Sequence, residues 1–209
     1  MLIFVQVIIA YLLGSIPSAV WIGKVVYGID VRQHGSGNAG ATNVIRVLGY
    51  KAGIPVLLFD VFKGWLAVFI TGFFPGQGMS PDQLIYIKIG AAVAAALGHV
   101  FPVFAGFRGG KGVGTMAGVG IALFPMPLLI VLGVFIAVLA VSRYVSLSSC
   151  IAASAFPFIV VFIGGERHPD LVVLSVFVAV FVLFTHRTNI MRLLKGEEKK
   201  FNFKGGGKK

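Results

Sequence analysis

The chain has 209 residues, of which 57% are hydrophobic and 12% charged, with a mean hydropathy of +0.95. That is more apolar surface than a private core of this size can bury, so a soluble globular domain is excluded and lipid must cover the remainder. The formal net charge of +11 does not make a nucleic-acid binder, because the basic residues lie in short loops and a tail, where positive charge marks the cytoplasmic side of a membrane protein.

In lipid every backbone N–H and C=O must be satisfied within the spanning element, which leaves helices or a closed barrel. The runs here are long and continuously apolar rather than alternating, which argues against the barrel. A crossing helix needs roughly 17 to 25 apolar residues at about 1.5 Å per residue. Candidate spans follow at about 2–23, 54–74, 84–104, 109–125, 126–142, 146–164 and 170–186. The expected fold class is all-α: a polytopic membrane protein of seven transmembrane helices, N-terminus outside and C-terminus cytoplasmic.

The first span lacks the basic start and small-residue cleavage site of a signal peptide, and reads as a retained helix. Gly14-Ser15-Ile16-Pro17-Ser18 interrupts it, which in lipid signals a kink or an unwound turn lining a polar cavity. After it comes His34-Gly35-Ser36-Gly37-Asn38-Ala39-Gly40-Ala41-Thr42-Asn43, with Arg46 three residues on. Small residues let a ligand approach the backbone, while Ser36, Asn38, Thr42 and Asn43 offer donors to an anion. If a short helix begins near Ala41, Asn43 and Arg46 share a face. In the second span Asp60 and Lys63 lie one turn apart, where a central charge costs roughly 2.5 to 3.5 kcal/mol, so they should pair and face the bundle interior. His99, near the inner end of the third span, reads as packing.

Gly106-Phe107-Arg108-Gly109-Gly110-Lys111-Gly112 leads straight into an apolar helix. Unpaired N–H groups and the helix dipole would face an anion there, beside Arg108 and Lys111. It is not a Walker A loop: Ala105 replaces the first glycine, and Gly112 replaces the hydroxyl that would hold magnesium. The stretch from Gly112 to Val141 is either two short spans broken at Pro125 and Pro127 or one long tilted helix. Charge parity decides for two. With seven spans the inner loops hold Lys24, Arg32, Arg46, Lys51, Arg108, Lys111 and Arg143, and the tail adds Arg187, Arg192, Lys195, Lys199, Lys200, Lys204, Lys208 and Lys209, against Arg167 alone outside. Six spans would put the basic tail opposite the first loops, against the positive-inside bias.

Ser142-Arg143-Tyr144-Val145-Ser146 places hydroxyls and a base between spans five and six, with Ser148 and Ser149 positioned to cap or back-bond a helix. Cys150 sits in an apolar run and reads as a buried inert thiol. In the last cluster His186, Asn189 and Arg192 share one helical face. Residues 1–198 read as one membrane-embedded domain and 199–209 as a basic disordered tail. All four polar clusters fall on the inner face, which describes a site for an anionic, phosphorylated ligand. Asp30 and Asp60 are too few and too separated for a hard-metal cage, so no metal is expected.

The stretches Gly14–Pro17, Ser36–Arg46, Asp60–Gly64, Gly98–Pro102, Phe107–Thr115 and His186–Leu194 resemble the acyl-phosphate-dependent glycerol-3-phosphate acyltransferases, the PlsY family of bacterial membrane enzymes. The resemblance implies acyl transfer from acyl phosphate to the 1-hydroxyl of glycerol 3-phosphate, giving lysophosphatidic acid and phosphate, the first step of phospholipid synthesis. It implies a monomer in the bacterial cell inner membrane with its site on the cytoplasmic side, and no cofactor. Ser36, Arg46, Lys111, His186 and Asn189 are the catalytic residues it implies. Gly35, Gly37, Asn38, Thr42, Asn43, Arg108, Gly109, Gly110, Gly112, Ser142 and Ser146 form the expected substrate-binding set, and Glu198 matches a structural glutamate. Arg108 stands where lysine is common, and Gly114 where alanine is.

An acyl phosphate is already activated, so the site must align two anions and relieve their repulsion more than supply a nucleophile. The H-x-x-x-x-D box of acyl-CoA-using acyltransferases is absent, since Ala39, Phe104, Val173 and Met191 stand five residues after the four histidines. The hydroxyl proton goes to His186 or to a phosphate oxygen of the donor, and the resemblance favours the latter. The competing reading is a transporter of a small phosphorylated metabolite, suggested by Asp60, Lys63 and the broken first span. No inverted repeat supports it.

Overall fold

The computed structural model describes residues 2–73 and 79–203, with side chains from Phe4 onward. Among these residues every regular element is helical. Two compact units emerge, one within residues 2–122 and one over Leu123–Phe203.

In the first unit α1 (Leu2–Gly14) and α2 (Ser18–Tyr27) meet at a bend of 41°. Pro17 has no N–H to continue the α1 ladder, so the chain unwinds and restarts at Ser18. A left-handed Gly28, φ 68°, closes α2, with Gly28 N–H donating to Lys24 O and Ile29 N–H to Gly23 O. Then come α3 (Ala41–Leu48), α4 (Tyr50–Phe69), α5 (Pro81–Val100) and α6 (Val113–Leu123). Helix α5 starts with a capping box in which Ser80 and Gln83 exchange side-chain and backbone bonds.

Small residues set the helix spacing here, because lipid supplies no hydrophobic drive between helices. A Cβ on Gly14 would collide with the Ala95 carbonyl, and one on Gly98 with the Tyr11 carbonyl. Ala10, Ala67, Ala91, Ala94 and Ala95 fill the seam. Between α4 and α6, Gly64 lies against the Thr115 backbone and Gly118 against that of Val61 and Trp65.

The second unit holds α7 (Pro125–Ser142), α8 (Val145–Phe158), α9 (Pro169–Thr185) and α10 (Arg187–Leu194). Pro157 lies inside α8, and the helix runs on as a wider π-turn over Ile159–Ile163. Of α7 only Pro127 is buried, which suits a helix facing lipid. Phe124 and Pro125 separate α6 from α7, so the stretch holds two helices and not one.

Among the described residues four helical stretches are long and apolar enough to cross a membrane, Tyr50–Gly72, Pro81–Ala105, Pro125–Ser142 and Val145–Ile163, and six if each bent pair counts as one. The remaining expected span, 109–125, contains only the 11 residues of α6. At about 1.5 Å per residue that covers roughly half the hydrocarbon. Within the stretch expected to be a tail, Phe201 N–H donates to Arg143 O at 2.6 Å and Lys200 lies over the Tyr144 ring. Residues 204–209 lie outside the described residues.

Candidate active site

The first loop is built around two side chains that hold its backbone. Asp30 caps a single helical turn, Val31–Gln33, accepting from Arg32 N–H at 3.0 Å and from Arg32 Nη2 at 2.7 Å. The Arg32 hydrogen bond holds the Asp30 carboxyl well below the usual range, although burial opposes it. Arg32 Nη1 then reaches the carbonyls of Ala105 at 2.9 Å and Arg108 at 3.3 Å. One guanidinium thus ties the first loop to the glycine-rich loop.

Asn43, 2% exposed, is the second brace. Its Oδ1 accepts from Ser36 N–H at 2.7 Å and Ser36 Oγ at 3.1 Å, and its Nδ2 donates to Val31 O and His34 O. The sequence suggests Asn43 as a donor to the ligand. In the structure its amide is spent inside the loop and orients the exposed Ser36. Gly35, at φ 65°, has Asn43 packed where a Cβ would stand. Gly37 is also left-handed, Asn38 Oδ1 lies over Gly40, and Thr42 and Arg46 are half-buried on α3, which begins at Ala41.

The glycine-rich loop turns through Gly106 and Phe107, both at positive φ, and again at Gly112, φ 83°. Arg108 is exposed, Lys111 half-buried and Gly110 buried. Gly109 N–H donates to Val100 O and Gly110 N–H to His99 O, both at 3.1 Å. These two N–H groups, expected to face an anion, are therefore turned onto the end of α5. Backbone N–H groups of the first turn of α6 also lie at this end, beside the Arg108 and Lys111 side chains.

Beneath the loop lies a buried polar cluster. Lys63, 2% exposed, contacts Asp60 Oδ1 at 2.8 Å and donates to Ile16 O, the carbonyl freed by the break in the first span, at 2.9 Å. Ser18 Oγ donates to Asp60 Oδ1 at 2.8 Å. His99 Nδ1 stands 3.0 Å from Thr115 Oγ1 and 3.6 Å from Asp60 Oδ1. A cavity of about 10 Å³, room for one water, is lined by Ser18, Asp60, Lys63 and His99 with Ala39, Gly109 and Gly110 among others. The sequence points to the Asp60–Lys63 pair and the polar break. It does not point to His99, although an ionisable group at membrane depth is a functional signal by default.

The second unit carries the remaining candidates. His186 joins α9 to α10, which diverge by 59°, and is 2% exposed. Its Nδ1 lies 2.8 Å from Val182 O, and a carbonyl can only accept. The proton of the neutral ring is therefore on Nδ1, and Nε2 is the basic nitrogen. Glu198 gathers three donors: Ser146 Oγ and Asn189 Nδ2 at 2.7 Å on Oε1, and Arg192 Nε at 2.8 Å on Oε2. Burial alone would raise the Glu198 carboxyl, but these three donors outweigh it and hold it below the ordinary value. Ser142 Oγ accepts from Tyr144 N–H within its own turn, and Ser148 and Ser149 back-bond along α8. Ser36, Arg46 and Lys111 belong to the first unit, His186 and Asn189 to the second.

A family profile described as glycerol-3-phosphate acyltransferase matches residues 4–196. The chain belongs to the glycerol-3-phosphate acyltransferase family. Similar relatives of that name include the protein of Chlorobaculum tepidum, 43% identical over 97% of this chain and 98% of that one. The Salinibacter ruber protein is 44% identical over 93% and 90%. Crystal structures of PlsY, an integral membrane glycerol 3-phosphate acyltransferase, share 36% identity across 97% of this chain and 96% of theirs. The TM-score is 0.87 for the glycerol 3-phosphate form and 0.84 for the lysophosphatidic acid form. The likeness to an integral membrane protein spans nearly the whole chain.

Proposed function

We propose that the chain transfers an acyl group from acyl phosphate to the 1-hydroxyl of glycerol 3-phosphate, giving lysophosphatidic acid and inorganic phosphate. The observation that carries this is the likeness, over nearly the whole chain, to a PlsY structure in its glycerol 3-phosphate form. The hydroxyl oxygen attacks the acyl carbon, the bond from that carbon to the phosphate oxygen breaks, and phosphate departs. The hydroxyl proton passes to an oxygen of that phosphate, so no indispensable protein base is needed.

In this reading Arg108, Lys111 and the α6 first turn, opened by Gly112, hold the phosphate of glycerol 3-phosphate, with Gly109 and Gly110 shaping the loop. Ser36, held by Asn43 and flanked by Gly35, Gly37, Asn38 and Thr42, works with Arg46 on the acyl phosphate. His186 orients a substrate phosphate, and Asn189, Ser142 and Ser146 support that segment. Residues 1–198 act as one domain, in line with the profile match across 4–196, and the protein is a monomer in the bacterial inner membrane. Seven crossings, with α6 and its glycine loop counted as one, keep the N-terminus outside and the basic loops cytoplasmic. Cysteines introduced at Ser36 and Ser80 should then label from opposite sides.

The deciding experiment uses purified protein in vesicles. Phosphate release and lysophosphatidic acid formation that need both substrates support the enzyme, whereas uptake of glycerol 3-phosphate without turnover supports a transporter. His186→Gln keeps a hydrogen-bonding group without basicity, so substantial turnover is expected. A general-base loss of about 100- to 10,000-fold with normal binding would rule out the substrate-assisted route.

A further inference from the structure

His99 is almost completely buried, at 6% exposure, yet its Nδ1 faces polar groups. Thr115 of α6 stands at its Nδ1, and Asp60 of α4, already neutralised by Lys63, lies just beyond. The other ring nitrogen points to the glycine loop: a Cβ built on Gly110 would collide with His99 Nε2, and the His99 carbonyl accepts from Gly110 N–H. The two glycines of this loop are excluded from larger side chains for different reasons. At Gly109 the obstacles include the carbonyls of His99 and Val100, with Pro102 Cδ at 2.6 Å. At Gly110 the nearest obstacle is a side chain, with the Ala39 carbonyl next at 3.0 Å.

We propose that His99 is a positioning residue: clamped by Thr115 and the Asp60–Lys63 pair, its ring is the floor on which Gly110 rests and so sets where the loop offers its donors to a phosphate. This rests on the glycerol 3-phosphate reading of that loop. It also reassigns Gly110. The position must be glycine because of the histidine beneath it, and not only because a substrate passes over it.

The test is steady-state kinetics against glycerol 3-phosphate at saturating acyl phosphate, with calorimetric binding of glycerol 3-phosphate alone as a second readout. Thr115→Val removes the clamp's hydroxyl at nearly constant shape. It should raise KM for glycerol 3-phosphate by about 3- to 10-fold, the worth of one hydrogen bond, leaving kcat and the acyl phosphate KM near wild type. Gly110→Ala should raise the same KM further. Adding His99→Ala to it should recover part of the loss, because the side-chain obstacle is gone. Adding His99→Ala to Gly109→Ala should recover nothing, because backbone obstacles remain.

An unchanged KM in Thr115→Val, or no difference between the two double variants, overturns the proposal. If the His99 variants fail to insert, the Thr115→Val result alone decides it. Wild-type turnover with an insensitive Thr115→Val leaves the enzyme reading standing and removes this one. Wild-type protein that neither binds nor turns over glycerol 3-phosphate removes both.

Discussion

Asp60 and Glu198 each gather donors from separate segments, but the cation facing Asp60 is 2% exposed and the one facing Glu198 is 37% exposed. The difference lies in what surrounds each pair. Asp60 and Lys63 sit within a spanning helix, almost wholly shielded from bulk water, so each is tolerable only while the other is present. Glu198 lies beyond the last helix, where water can replace a lost donor. The first network is therefore a condition for the fold, and the second ties down a segment of it.

The largest effect should follow from breaking the buried pair on one side. Lys63→Met leaves Asp60 without its cation, which typically costs about 3 to 5 kcal/mol. Low yield of folded protein or a steep fall in thermal midpoint in detergent is expected. Asp60→Asn combined with Lys63→Met removes both charges and leaves an amide oxygen for Ser18. It should recover most of the loss. A Lys63→Met protein as stable as wild type would erase the contrast between the two networks.

Glu198→Ala should cost less, about 2 kcal/mol, because Ser146 and Asn189, both buried, lose their acceptor while water gains access. Faster amide exchange confined to residues near 197–203 is the expected signature, with unfolding elsewhere little changed.

The Glu198 network should also respond to pH. Its carboxyl is held below the ordinary value of 4.5, so its contribution is complete above that value and is lost as pH falls through the lower folded one. Lowering the pH from about 6 to about 4, across the ordinary glutamate range, should shift the thermal midpoint of wild type more than that of Glu198→Gln. Equal shifts would mean that the carboxylate is not held by its donors.

What the sequence made legible follows from the same physics. Long apolar runs identify spanning helices, because in lipid there is no other way to satisfy the backbone. Pro17 predicts the break in the first span from local chemistry, whereas a helix starting near Ala41 is only a supposition that the structure bears out. The short α6 was not legible: its apolar run continues past Leu123, and only the fold shows that the helix is confined to Val113–Leu123. The amides of Asn43, Gly109 and Gly110 were expected to face a ligand. Sequence gives a donor's presence and not its direction, and in the fold these donors turn onto neighbouring carbonyls. His99 was missed because one histidine in an apolar run looks like packing until Thr115 and Asp60, distant in sequence, are seen against it.

The smallest effect should come from Arg192, and it measures how wet the Glu198 network is. Arg192 donates to Glu198 Oε2 through Nε alone at 2.8 Å, while Oε1 is held by Ser146 and Asn189. An ion pair this exposed is screened by solvent and salt, and removing it typically costs about 0.2 to 1 kcal/mol. Arg192→Gln should thus lower the thermal midpoint slightly, less so at high salt, and should move the acid limb of stability upward, because the carboxylate loses its one charged donor. Two donors remain, so the segment at 197–203 should stay ordered by amide exchange. If Arg192→Gln instead destabilised as much as Lys63→Met, with no salt dependence, the Glu198 network would be as dry as that of Asp60, and exposure would not be what separates them.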